Sequence, residues 1–359
     1  MRFVTVQDPT PIPYAAGQAR TLLIGSQEFF ITGLLMDLDL AKTDGAGPTT
    51  YQDFMYRAIT GLGLKGGGIP YIDIGSPDAR VLYWATRQRL QGRGRTPDMQ
   101  AGAVTLRHQL CVLFGVNPIM GNDGINYFDP TAAIKPDQDL TLRINWAANT
   151  AIGANRTIDP ATQLRITYLG YVAEKPEEQP RWYPSWSVVD YQPGQAFTNK
   201  GGISKLPTGD YYRRSTIMIL NGASPNDVRT DGLGASAVSE IGAKTKDGRF
   251  GIDMAFSDFV QKSQAQFSVA DDNSAVPGAV LAPGAAVVGV GYNAGVGQID
   301  WAQQADTSPA PEGQPVKADP LYGINMVGKS DGALSLAYTV NVNVNTRIVQ
   351  LHESYMPYK

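Results

Sequence analysis

The sequence predicts an all-β protein built from two copies of one β-sandwich. Apolar and polar residues alternate from Leu140 to Trp146 and again from Leu164 to Tyr168, which is the period of a strand with one buried face. The alternation returns from Leu334 to Val344, and a last apolar run extends from Ile348 to Leu351. The 39 glycines and 24 prolines lie between such runs, which favours many turns and few long helices.

Length and composition favour two domains and exclude several classes of protein. A chain of 359 residues suits two domains, and 43% hydrophobic residues are enough for two cores. The formal net charge of −3 argues against nucleic acid as the main partner. Cys111 is the single cysteine, so an intrachain disulfide is excluded, and its apolar surroundings predict burial. The first residues lack the apolar core of a signal peptide, so we expect synthesis in a cytoplasm.

The first half of the chain is predicted to be an N-terminal arm followed by the first sandwich. Prolines at positions 9, 11 and 13 exclude a helix and predict an extended arm over residues 1–19. The first sandwich spans residues 20–175. Helical spacing predicts one helix within residues 48–62, and the helix start Ser76-Pro77-Asp78 predicts a second from 78 to about 91. The predicted strands are Thr21–Ile24, Glu28–Leu40, Ile69–Ile74, Leu106–Val116, Leu140–Trp146 and Leu164–Tyr168.

The second half is predicted to be a linker and lead-in over residues 176–210, then a second sandwich over residues 211–359. Prolines and glutamates in residues 174–186 leave no room for regular structure. Asp253 is a candidate N-cap of a helix, and residues from about 275 to 320 are predicted to form a long surface loop. The order of elements is the same in both halves, which indicates an internal duplication. The predicted strands are Ser215–Leu220, Ala237–Lys244, Arg249–Asp253, Leu334–Val344 and Ile348–Leu351.

Two glycine motifs match nucleotide-binding patterns without the flanking elements that such sites need. Gly323–Ser330 satisfies G-x-x-x-x-G-K-S, but a proline precedes it and an alternating strand follows in place of a helix. Gly61–Gly66 satisfies G-x-G-x-x-G, but it follows a helical pattern and lacks βαβ surroundings. We interpret the first motif as a loop that enters a strand and the second as a flexible turn.

No catalytic constellation is visible in the sequence. His108 and His352 lie in separate halves without a partner spacing, so both are expected to be structural. Calcium is the one candidate cofactor, because that ion needs several oxygen ligands, although no EF-hand spacing is present and solvated carboxylates are the simpler interpretation. The candidate ligands are two acidic pairs, Asp37 with Asp39 and Asp271 with Asp272.

Arginines crowd the second predicted helix and the residues after it. The helix dipole favours cations near a helix C-terminus, which is the simple explanation. The functional alternative is a basic patch that contacts lipid phosphates or an acidic neighbour. The residues concerned are Arg80, Arg87, Arg89, Arg93 and Arg95.

The pattern resembles the double jelly-roll major capsid proteins of tailless icosahedral viruses, especially bacteriophages with an internal membrane. The resemblance implies two tandem jelly-roll β-sandwiches with a few short helices in the loops, and no enzymatic activity. It also implies a homotrimeric, pseudo-hexagonal capsomer that tiles a virion shell and contacts neighbouring capsomers, vertex or penton proteins, minor capsid proteins and, peripherally, an inner membrane. The segments that carry it are Arg20–Leu40, Leu140–Val172, Arg213–Leu220, Asp253–Phe267 and Leu334–Leu351.

Two other functions stay open. A carbohydrate- or receptor-binding β-sandwich protein of the spike or adhesin type would present aromatic side chains in loops, and Trp182, Trp186 and Trp301 are its candidates. An enzyme would need either two carboxylates across a cleft or phosphate-binding flanks around Gly323–Ser330. The capsid interpretation is preferred because it needs no catalytic constellation.

Overall fold

The computed structural model divides the chain into two compact units. The first is mainly Met1–Trp186 with Pro357–Lys359, and the second comprises Ser187–Ala275 and Gly289–Met356. The residues that the structure describes are 1–25, 27–51, 53–75, 79–89, 100–115, 119–120, 124–125, 130–135, 139–222, 227–229, 237–245, 248–266, 295–301, 318–319, 323–327, 329, 331–341 and 345–358.

The first unit consists of short and long strands with one helix, α1 (Arg80–Arg89), and 3-10 turns at Tyr56–Ala58 and Pro176–Glu178. A further strand, β13 (Trp182–Tyr191), begins in this unit and ends in the second. The strands that precede it are β1 (Arg2–Gln7), β2 (Ile12–Pro13), β3 (Ala19–Ile24), β4 (Phe30–Asp44), β5 (Ile59–Gly66), β6 (Ile69–Ile74), β7 (Val104–Leu113), β8 (Ile119–Met120), β9 (Gly124–Ile125), β10 (Leu140–Trp146), β11 (Arg156–Ile158) and β12 (Gln163–Val172).

Two antiparallel sheets enclose the core of the first unit. In the described residues one sheet has the order β1-β12-β4-β11, with β2 added to β12 and β7 added to β4, and the other has the order β6-β5-β10-β3. On β4 the side chains of Leu34, Met36, Leu38 and Leu40 are all buried. Met36 and Leu38 line one small apolar cavity with Leu62 of β5, so the buried faces of the two sheets meet there.

The second unit repeats this architecture. One sheet has the order β14-β22-β17-β18, and in the other β15 pairs with β23, β19, β21 and β16. Ile217 of β15, Ile241 of β17 and Phe259 of the helix belong to one buried cluster. The elements are β14 (Phe197–Lys205), β15 (Tyr211–Asn221), β16 (Val228–Arg229), β17 (Val238–Thr245), β18 (Gly248–Ala255), α2 (Phe256–Gln266), β19 (Val296–Asp300), β20 (Ala318–Asp319), β21 (Gly323–Asn325), β22 (Leu334–Val340) and β23 (Arg347–Pro357).

The predicted all-β class with short helices is confirmed. The strand predicted at Ile69–Ile74 is β6, and the helix predicted from 78 to about 91 is α1. The N-terminal arm is extended as predicted, and both β1 and β2 pair with β12, so the arm completes a sheet of its own unit. Strand prediction succeeds here because each long strand buries one face, which leaves a period-two record in the sequence.

The helix predicted within residues 48–62 is wrong. Only Tyr56–Ala58 forms a turn of 3-10 helix, and β5 begins at Ile59. Gly61–Gly66 is therefore part of a strand and not a flexible turn. A Cβ atom on Gly61 would lie 2.6 Å from Asn145 Nδ2, and one on Gly66 would lie 2.4 Å from Leu140 Cδ2, so these glycines allow neighbouring chains to approach closely.

Regular structure also extends into the predicted linker. The expectation that residues 174–186 are irregular is wrong from Trp182 onwards, because β13 starts there, and β14 occupies part of the predicted lead-in. Pro184 lies inside β13. The aromatic side chains of this stretch favour a strand more strongly than its prolines oppose one.

Gly170 offers a test of how tightly β12 packs. The register of β12 against β4 shifts between Leu169 and Gly170, and a Cβ on Gly170 would lie 2.2 Å from the Phe30 carbonyl oxygen. We predict that Gly170→Ala lowers the free energy of unfolding by about 1–3 kcal/mol through this clash. The control is Gly25→Ala, where a Cβ meets nothing within 4 Å and the change should stay below about 0.5 kcal/mol. Urea unfolding measures both, and equal stability of the two variants would contradict the prediction.

Candidate functional site

Buried charges are concentrated on β15, β19 and β23 of the second unit. Arg213 and Arg214 are consecutive residues of β15, and both are buried. The Arg213 guanidinium donates to Asp300, and Arg214 Nη1 lies 3.5 Å from Glu353 Oε2. Burial lowers the pKa of Arg213, whereas attraction to Glu353 and Asp300 outweighs burial and raises the pKa of Arg214. Each pair joins two strands, and removal of one partner from a buried ion pair typically costs about 3–5 kcal/mol.

A chain of three polar side chains lies beside these ion pairs. Trp301 Nε1 donates to Ser215 Oγ at 2.8 Å, and that oxygen lies 2.8 Å from His352 Nδ1. Burial lowers the pKa of His352 to about 4, so the imidazole is neutral near pH 7. The Ser215–His352 contact matches part of a hydrolase triad by residue type, but Ser215 and His352 are both wholly buried, so a substrate has no access. The expectation of a structural role for His352 agrees with this geometry.

The first predicted calcium pair lies on β4 and is engaged by other side chains. Arg107 Nε and Arg165 Nη2 approach the Asp39 carboxylate at 3.2 and 3.0 Å, and Gln109 Nε2 donates to Asp37 at 2.8 Å. Asp39 therefore forms ion pairs with two guanidinium groups from neighbouring strands. Asp271 and Asp272 lie outside the described residues, and among those described no group of three His, Cys, Asp or Glu side chains could hold a metal ion.

Arg80, the first member of the predicted arginine patch, is buried. Arg80 is 3% exposed, so it cannot contribute to a surface patch, because the first turn of α1 is packed into the core. Arg87 and Arg89 belong to α1, but their side chains are not among those described, and Arg93 and Arg95 lie outside the described residues. A patch formed by these four stays a prediction. Neither described helix is long and apolar enough to span a membrane.

The aromatic side chains proposed for carbohydrate binding are largely internal. Trp186 is 2% exposed and Trp301 is wholly buried, so their prediction as exposed loop residues is wrong. Trp186 packs edge-on against Phe114 at a ring distance of 6.0 Å. Trp182 is partly buried in β13. Trp186 and Trp301 therefore fill cores, as buried large aromatic residues usually do.

The P-loop-like motif begins as a strand. Gly323–Asn325 is β21, which pairs with β15 and β20. Gly323 has a φ of +89°, and a Cβ there would lie 2.0 Å from the Tyr212 carbonyl oxygen, so glycine is required for packing. The next described regular element is β22, a strand, whereas a phosphate site needs a helix N-terminus. Gly328 and Ser330 lie outside the described residues.

Similarity to other proteins is visible in structure and not in sequence. No protein-family model and no curated protein matches the chain. The STIV major capsid protein aligns with a TM-score of 0.70 at 14% identity, over 99% of this chain and 97% of that one. The major capsid protein of bacteriophage PM2 aligns with a TM-score of 0.52 at 12% identity, over 99% and 97% of the two chains. A chain of the PBCV-1 virus capsid aligns with a TM-score of 0.52 at 12% identity, over 98% and 93%.

The chain has the double jelly-roll fold. This confirms the fold expected from the sequence, two tandem jelly-roll sandwiches with short helices between strands. At 12–14% identity the similarity establishes the fold alone. The buried ion pairs and the Trp301–Ser215–His352 chain are thus internal supports of the second jelly roll.

His352 gives the second jelly roll a specific dependence on pH. The unfolded histidine binds a proton below pH 6.5, whereas the folded one does so only below about 4, so acid favours unfolding in this window. We predict that the free energy of unfolding falls by about 3 kcal/mol between these values through His352. His352→Gln should remove this part of the slope, whereas Ser215→Ala should retain it. Urea unfolding at a series of pH values measures the slopes, and an unchanged slope in His352→Gln would contradict the assignment.

Proposed function

We propose that the protein is a major capsid protein, a structural and non-enzymatic subunit of an icosahedral virion shell. The observation that carries the proposal is the double jelly-roll fold over the whole chain, shared with the major capsid proteins of STIV and bacteriophage PM2. In this proposal the protein is located in the virion after synthesis in the host cytoplasm.

The proposed capsomer is a homotrimer with a pseudo-hexagonal outline. Three chains with two similar sandwiches each present six similar blocks, which is a natural unit for tiling a shell. Closed threefold symmetry repeats the same contact at each interface. Permanent interfaces of this kind typically bury about 2,000 Å² or more, so a stable trimer is expected in solution.

Internal ion pairs would make each unit rigid, which a subunit of a shell requires. In the first unit Lys42 Nζ contacts Asp44 Oδ1 and the Gly102 carbonyl oxygen, each at 2.9 Å, and Arg156 Nη1 approaches the same Asp44 oxygen at 3.0 Å. Burial opposes the charge on Asp44, but the hydrogen bond from Lys42 and the Arg156 charge lower its pKa. Since such networks hold one geometry, they favour a rigid block over one that deforms between lattice positions.

Contacts with vertex or penton proteins, minor capsid proteins and an inner membrane are further parts of this proposal. We assign contact with lipid phosphates to Arg87 and Arg89 of α1 and to Arg93 and Arg95 after it. Calcium bound by Asp271 and Asp272 between copies likewise stays a prediction.

We predict that the purified full-length protein is a trimer. Light scattering should give three times the monomer mass, and negative-stain microscopy should show particles with a hexagonal outline. Larger closed shells would also support the proposal. A monomer at all accessible concentrations would contradict it.

The lipid contact has a separate test. We predict that the wild-type protein sediments with vesicles that contain phosphatidylserine. Replacement of Arg87, Arg89, Arg93 and Arg95 by glutamine should reduce binding by roughly two to three orders of magnitude, since each basic residue near an anionic surface contributes about 1 kcal/mol. Exposed Arg2 and Arg20 replaced by glutamine serve as the charge control. Equal binding by both variants would exclude the patch while leaving the trimer proposal intact.

A further inference from the structure

The second unit contains an open polar cavity of about 260 Å³ on the outer face of the four-stranded sheet. Ile241 and Ala243 of β17 belong to the core, so the residues that alternate with them lie on the opposite face. The polar side chains of the lining belong to Asn199, Lys200, Glu240, Lys244 and Asp253, and the lining is completed by Gly242, Ala243 and Ile252.

A strained segment of β14 forms one wall of the cavity. The register of β14 against β22 shifts between Phe197 and Gly202. Within this bulge Asn199 and Lys200 have φ angles of 51° and 54°, a left-handed conformation that non-glycine residues rarely adopt. The Lys200 amide donates to Thr339 Oγ1 at 2.9 Å, and Lys244 Nζ donates to the Lys200 carbonyl oxygen at 3.1 Å. Such strain persists only where the surroundings enforce it, and it is common at ligand-binding sites.

The Lys200 side chain lies across the sheet and shapes the floor of the cavity. Its ammonium contacts Asp253 Oδ1 at 2.5 Å and Glu240 Oε2 at 3.6 Å. A Cβ on Gly242 would lie 2.9 Å from Lys200 Cδ, so glycine at that position leaves the space through which the lysine passes. Thr339 Oγ1 donates to Glu240 Oε2 at 2.5 Å and holds that carboxylate in place.

The cavity lining is polar but has no net charge. Two ammonium groups, of Lys200 and Lys244, balance two carboxylates, of Glu240 and Asp253. An anion would meet both carboxylates and a cation would meet both ammonium groups, so neither is favoured. Within the described chain Lys244 Nζ makes one hydrogen bond although it carries three N–H donors, and the contacts of Glu240 involve only Oε2. Donors and an acceptor therefore stay available at the cavity.

We propose that this cavity binds a neutral, polyhydroxylated ligand, namely one sugar residue of an oligosaccharide. A hydroxyl group both donates and accepts, so neighbouring hydroxyls match an ammonium donor on Lys244 and a carboxylate acceptor on Glu240. The volume is slightly below the 300–1,000 Å³ that is usual for drug-sized ligands, which suits a single ring. The inference goes beyond the capsid role and does not depend on it.

The test uses the purified full-length protein and a panel of glucose, galactose, mannose and N-acetylglucosamine. Binding is measured by saturation-transfer NMR and titration calorimetry. We expect one of these sugars to bind. Lys244→Met removes a charged donor and Glu240→Gln replaces a charged acceptor by a neutral amide, so each should weaken binding by roughly tenfold or more. The matched control is Lys205→Met, which removes an exposed lysine on the same sheet that pairs with Asp331 instead, and should leave affinity unchanged.

Three outcomes would overturn the proposal. One is the absence of binding by any sugar of the panel to the wild-type protein. Another is an equal loss of affinity in Lys205→Met and Lys244→Met, which would indicate a general charge effect. The last is tighter binding of sulfate than of any sugar, which would make the site an anion site. Thermal unfolding confirms that each variant is folded. If Lys244→Met does not fold, Glu240→Gln, which keeps the shape of the side chain, tests the proposed sugar site by itself.

Discussion

The structure of the first unit depends on the antiparallel pairing of β4. This strand of fifteen residues pairs with β12, β7 and β11, and its alternate side chains form much of the buried face of one sheet. A slip of one residue would turn this whole face towards solvent, so burial and hydrogen bonding specify the same register. The arm strands β1 and β2 then cover the remaining edge of β12, which protects it from unwanted pairing.

Strand β15 has the corresponding position in the second unit, but unlike β4 it must bury two arginine side chains. Nearly every residue of β15 is buried on both faces, including two consecutive arginines. Their charges are tolerated because Asp300 and Glu353 arrive from the neighbouring strands β19 and β23. This arrangement adds little net stability over an apolar one, but it penalises any other alignment of the three strands.

These internal constraints and the outer surface have different functions in our proposal. Paired and buried groups make each sandwich a rigid block, which is the property that a repeating shell requires. On the outer face of the four-stranded sheet the chain keeps a strained bulge at Asn199 and Lys200, and the long Lys200 side chain lies over Gly242. A building block and a small binding site are compatible in this proposal because the buried ion pairs belong to the sheet of β15, whereas the cavity lies on the sheet of β14, β22, β17 and β18.

The sequence predicts the elements correctly where one physical signal dominates. Period-two alternation located the long strands, and the helix start at Ser76-Pro77-Asp78 located α1. The flanks of Gly323–Ser330 argued against a phosphate site, and the strands β21 and β22 agree with that interpretation. Sequence prediction failed at residues 48–62, where apolar spacing suggested a helix but neighbouring strands draw the glycine-rich segment into a sheet. It also failed at Trp186 and Trp301, because an aromatic residue near prolines or loops has the same sequence appearance whether it is exposed or buried.

The sequence by itself determined the all-β class and the two-sandwich plan, since both follow from local alternation and turn residues. Only the tertiary structure decided which polar groups are buried and paired. Asp39 meets Arg107 and Arg165, His352 meets Ser215, and Lys200 reaches Asp253, and each of these contacts joins residues from different strands. Such pairs produce no periodic pattern in the sequence, because they depend on strand register and on close approaches at glycine.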